Sequence, residues 1–87
     1  MQFVRMVQFT RLVKINGRLR EFNFRKIKSA DEELFTVNVC NDRGDRIVFG
    51  MKKKDNAWKI IGEKLPDWIT MGEQELGLAI DDELSNW

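Results

Sequence analysis

Residues 7–26 read VQFTRLVKINGRLREFNFRK, and the Asn16-Gly17 step inside them decides the fold. Asn-Gly suits a two-residue type I′ turn, because both central positions need positive φ. A hairpin closed there pairs Ile15 with Arg18, Val13 with Arg20, Arg11 with Phe22, Phe9 with Phe24 and Val7 with Lys26. One face then collects Val7, Phe9, Val13, Ile15, Phe22 and Phe24, with Arg11 inside the patch. The opposite face collects Gln8, Thr10, Leu12, Lys14, Leu19, Glu21, Asn23 and Arg25. A slip of one residue would destroy that separation, so the side chains fix the register.

The same reading works outward from the hairpin. Ser29 to Glu33 is a polar connection, after which Leu34 to Cys40 alternates with Phe35, Val37 and Val39 on one face. Residues 41–45 (NDRGD) turn the chain, and their Arg-Gly-Asp string reads as a hairpin loop. Ile47, Phe49 and Met51 then fall together, and a turn at Asp55-Asn56 returns Trp58 and Ile60 to the Met51 side. The pattern predicts a five-stranded antiparallel meander with strands at about 2–15, 18–28, 34–40, 46–53 and 57–61. Beyond Gly62, Pro66 ends the sheet and starts a short helical turn holding Asp67, Trp68 and Ile69. Thr70 and Glu73 have capping-box spacing, and Leu76, Ala79, Ile80 and Leu84 recur at helical intervals. An amphipathic helix over about 71–85 follows, packed on the sheet in a single α+β domain spanning 1–87.

One helix is about 10 Å wide, whereas five strands at about 4.8 Å make a flat sheet of roughly 24 Å. On that arithmetic a single helix leaves much of the apolar face bare, including Phe9, Phe22, Phe24, Phe35 and Phe49. A patch of that size marks an interface, so a homodimer that buries these rings is expected. A dimer would also help a chain of 87 residues with one Cys and no His, which can form neither an internal disulfide nor a common zinc site.

Charge is sorted along the chain. Residues 1–28 carry eight basic side chains against Glu21 alone, whereas residues 66–87 carry six acidic ones and no Lys or Arg. The formal net charge is only +1, so a nearly neutral protein has a basic start and an acidic end. Such a split makes either an internal electrostatic match or two surfaces with different partners. No signal-like or membrane-spanning apolar run is present, and the free thiol favours a reducing, cytoplasmic setting with no membrane partner.

Catalytic means are thin. Without His, Cys40, Ser29 and Ser85 have no evident base, so an enzyme, a cofactor or a small-molecule ligand is not expected. Asp81, Asp82 and Glu83 could offer oxygen to a hard cation, but consecutive helical residues diverge by about 100°, so at most two could face one ion. Three acids near a helix C-terminus are disfavoured by the macrodipole, and the basic N-terminal strands are the natural source of compensation.

Two surfaces could carry function. Arg18, Arg20, Arg25, Lys26 and Lys28, with Lys14, cluster on the first hairpin, and Lys52, Lys53 and Lys54 with Lys59 add a second basic edge. They suit phosphate or an acidic partner. Trp68, Glu73, Asp81, Asp82 and Glu83 form a candidate partner surface on the helical side. The order of strands followed by one helix is broadly similar to PUR-repeat and whirly-type single-strand-binding folds, a resemblance of topology with no motif matched residue by residue. The reading is a small non-catalytic macromolecular-interaction domain with a protein partner. The alternative is a sequence-tolerant single-stranded nucleic-acid binder using the basic hairpin.

Overall fold

In the computed structural model, which describes residues 7–27 and 33–86, five antiparallel strands run in the spatial order β1-β2-β3-β4-β5. They are β1 (Gln8–Ile15), β2 (Arg18–Ile27), β3 (Leu34–Cys40), β4 (Arg46–Lys54) and β5 (Ala57–Ile61). Two helices follow, α1 (Asp67–Thr70) and α2 (Glu73–Leu84). The first hairpin has the register its side chains demand: Ile15 opposite Arg18, Arg11 opposite Phe22 and Phe9 opposite Phe24, with the Lys26 amide donating to the Val7 carbonyl at 2.8 Å. Asn16 and Gly17 both take positive φ, at 52° and 78°, and Asp55 and Asn56 do the same between β4 and β5. Residues 2–6 and Lys28, assigned above to the first two strands, lie outside the described residues, as does Trp87.

The sheet is curled, and this corrects the flat-sheet arithmetic. α2 packs against both β1 and β5, the two edges of the sheet, so the strands wrap round one helix. Rings on the concave side therefore meet across an intervening strand. Phe9 of β1 reaches Phe35 of β3 at 6.0 Å between centroids, and Phe35 reaches Trp58 of β5 at 5.3 Å. Phe9 also stacks on Phe24 at 4.7 Å. Phe22, Phe24, Phe35 and Phe49 are buried within the single chain, and Phe9 is half-buried against the same core. The expected dimer face of Phe9, Phe22, Phe24, Phe35 and Phe49 is thus the interior of one subunit, closed by Ile69, Leu76, Ala79 and Ile80 from the helices. A homodimer would have to use another surface.

The helical region also departs from expectation at its start. Pro66 precedes the short α1, the helical turn expected there, whereas the longer helix, expected from about 71, begins at Glu73 after Gly72. Gly72 is buried against β1, and a Cβ there would collide with Ile15 Cδ1 and stand 2.5 Å from its Cγ1. The capping box does not form: the Thr70 hydroxyl donates to the Asp67 carbonyl, and Glu73 turns away to the sheet edge. There its Oε2 accepts the Ile60 amide at 2.9 Å, satisfying an edge-strand N–H that would otherwise face solvent. No helix among the described residues is long and apolar enough to cross a membrane.

Candidate nucleic-acid interface

Pleating decides where each charge goes. Side chains alternate between the two faces of a strand, so the ladder pairings sort the bases into two sets. Of those of inward parity on the concave side, Arg11, Arg18, Arg20 and Lys53 meet acids of their own chain. Arg11, inside the apolar patch, reaches the last turn of α2, with Nη2 donating to Asp82 at 2.7 Å and Nε to Glu83 at 3.3 Å. Its pKa is raised, chiefly by the Asp82 hydrogen bond and in spite of partial desolvation. Lys53 stands 3.8 Å from Asp81, whose other contact is the Trp58 indole N–H at 2.8 Å. Arg18 and Arg20 converge on Asp42 in the β3–β4 loop, at 2.6 and 3.6 Å, and the Arg20 guanidinium lies 4.0 Å over the Trp68 ring. Lys26, opposite Phe35, is exposed at the rim of this side.

The convex side differs. Following the pairings Lys14–Leu19, Gln8–Arg25, Arg25–Thr36, Cys40–Arg46, Lys52–Lys59 and Lys54–Ala57 places Lys14, Arg25, Arg46, Lys52, Lys54 and Lys59 there, with Glu21 the only acid among the described strand residues of that face. Lys52 and Lys59 are direct cross-strand neighbours, an arrangement that costs stability between like charges. Glu73 reaches round the β5 edge to within 3.8 Å of Lys59 and offsets part of that cost. Across the middle of the face runs a neutral hydrogen-bonded row, in which Thr10 Oγ1 donates to Asn23 Oδ1 at 2.6 Å and Asn23 Nδ2 to Asn38 Oδ1 at 3.0 Å. With Gln8 and Arg25 these groups line a shallow depression. Leu12, Leu19, Ile27, Val48 and Ile61 are large apolar residues exposed on the face. Exposed Cys40 sits at its edge.

No family model, curated protein or solved structure matches this chain.

The residues singled out from sequence therefore separate. Arg25, Lys52 and Lys54 lie on the convex face and Arg18, Arg20 and Lys53 on the concave side, and Lys28 lies outside the described residues. Arg46 is a member of the open face that charge clustering along the chain did not single out; strand parity would have found it, since it stands opposite Cys40. The acidic set Glu73, Asp81, Asp82 and Glu83 tethers α2 to the sheet through Ile60, Trp58, Lys53 and Arg11. Trp68 is half-buried beneath Arg20. Asp81 points toward Trp58, whereas Asp82 and Glu83 share Arg11, and no group of three potential metal ligands occurs among the described residues.

Proposed function

We propose that this protein is a small non-catalytic interaction domain that binds nucleic acid through the convex face of its sheet. The observation that carries the reading is the sorting of charge by pleat parity. The inward bases Arg11 and Lys53 meet helix acids and Arg18 and Arg20 meet Asp42, while Lys14, Arg25, Arg46, Lys52, Lys54 and Lys59 face outward together. Most of the acidic helix lies on the opposite side of the sheet, with Glu73 reaching round to Lys59, so six cations against Glu21 and Glu73 leave the face net positive toward an external polyanion. The opposed Lys52 and Lys59 support the same reading, since a bound phosphate would relieve their repulsion. A protein partner at Trp68 and the helix acids has less support, because those groups are already engaged within the chain.

The test is fluorescence anisotropy of a labelled single-stranded oligonucleotide at about 50 and 200 mM salt, where phosphate contacts appear as a steep loss of affinity. If all six cations engage phosphates, the slope of log K against log salt is about −4, at roughly 0.7 per contact for a single strand. Absence of binding at the lower salt would reject the reading.

A further inference from the structure

Resting on that reading, we infer that the convex face takes single-stranded nucleic acid by its sugar–phosphate backbone alone, along a path over Gly50, with the bases turned away from the protein. The first observation concerns rings. Proteins that hold a strand by its bases stack them on aromatic side chains. Here Phe22, Phe24, Phe35, Phe49 and Trp58 are buried on the concave side, Phe9 packs against them, and Trp68 lies under Arg20. Among the described residues the side chains of the convex face therefore offer no aromatic stacking platform, only cations, neutral hydrogen-bonding groups, Glu21 and exposed aliphatics such as Leu12, Leu19 and Val48. Thr and Asn side chains, like Lys and Arg, make ordinary contacts to phosphate and sugar, and the Thr10–Asn23–Asn38 row supplies them between the charges.

Shape selects the strand. Because the sheet wraps α2, its outer surface bends away from any straight partner. A duplex is stiff over lengths far greater than this domain, so it would touch the face over a short arc. A single strand can follow the curve.

Gly50 marks the path. Arg46, Lys52 and Lys54 stand on the outward side of β4, spanning about 27 Å at 3.4 Å per residue, and Gly50 lies between them with Thr36 and Ile61 as its cross-strand neighbours. A glycine inside a strand weakens it and often marks close approach by a ligand. Packing does not require this one: a Cβ would meet nothing nearer than Ile61 Cβ and the Phe35 carbonyl at 3.7 Å, an ordinary contact. The missing side chain lowers the floor of the basic row where a backbone would cross it.

The experiment competes three probes of matched length against the labelled oligonucleotide at about 50 mM salt: a strand of about 20 thymidines, the same strand without bases, and a duplex. The abasic strand should match the thymidine strand within about threefold, and the duplex should be weaker than both. Gly50→Val should lower single-strand affinity by about tenfold while Tm holds or rises, because a β-branched residue suits a strand better than glycine. A loss of tenfold or more on removing the bases, tighter binding of the duplex, or full affinity in a folded Gly50→Val protein would each overturn the inference while leaving nucleic-acid binding intact. Failure of every probe to bind would instead bring down the functional reading, and this inference with it.

Discussion

Arg11 is the one charged side chain that strand alternation places inside the apolar patch of the first hairpin, and it is the residue that anchors the acidic end of α2. Its aliphatic stem can lie along the core edge while the guanidinium reaches Asp82 and Glu83. Those acids stand in the last turn of a helix with no basic residue there, where negative charge is unfavourable, so one cation answers two problems. The side chain is 29% exposed, and Arg11→Ala is expected to cost about 0.5–1 kcal/mol, as for a partly exposed pair. That is a fall of a few degrees in Tm for a domain of this size. The raised pKa sets the pH behaviour: a cation favoured by the fold contributes stability that persists below its unfolded pKa and is lost only as pH climbs through the still higher folded value. Arg11 therefore brings no stability change of its own between pH 5 and 9, which thermal melts across that range would check. A second residue-scale expectation concerns the Trp58 indole N–H, held by Asp81. Asp81→Ala leaves that donor without its acceptor and should cost about 1–3 kcal/mol, read as a lowered denaturation midpoint. The demand for a cation near Asp81–Glu83 was legible in the sequence. The identity of Arg11 as its source was not, because that depends on how far the sheet curls.

At the scale of elements, the strands were the most legible part. Period-two alternation and the Asn16-Gly17 and Asp55-Asn56 turns specify the register of both hairpins, since any slip would expose Phe22, Phe24 or Trp58. The start of α2 was misread for a physical reason. Thr70 and Glu73 have the spacing of a capping box, but the Ile60 amide on the sheet edge competes for the same carboxylate and wins. Such competition between a local and a distant donor leaves no trace in spacing. Glu73→Ala should therefore act on β5 more than on the helix: the Ile60 amide should exchange its hydrogen faster, while Glu73→Gln, which keeps an acceptor, should retain most of the protection. Gly72 ties the same junction to β1. Gly72→Ala forces a methyl against Ile15 and should destabilise by about 1–3 kcal/mol through overpacking, measured by chemical denaturation.

For the whole molecule, the sequence reading went astray on curvature. Strand number and helix width predicted a bare apolar face and a dimer built on it, because both were combined as if the sheet were flat. Twist and coil of the strands bring β1 and β5 to opposite flanks of α2, and the same rings become an interior. Charge followed the same pattern. Counting along the chain found the basic hairpin, but only parity and curl separate the bases on the concave side from those facing outward. Lys52→Glu is the sharpest test at this scale. It converts the Lys52–Lys59 pair into opposite charges, and a thermal melt checks that the variant stays folded. Affinity for a single strand should fall, and its salt slope should flatten by about 0.7 for the lost contact or more for the added negative charge.

Closure by α2 also bears on how the protein is made. Synthesis delivers the five strands before the helix, at about 5–20 residues per second, so Phe22, Phe24 and Phe35 leave the ribosome well before Leu76 and Ile80 can cover them. During that interval the concave side is an open hydrophobic trough with an uncapped Ile60 amide on its rim. A nascent chain stalled before Glu73 would thus present what chaperones recognise and what aggregates recruit, and α2, which follows the strands, is the element that ends the hazard.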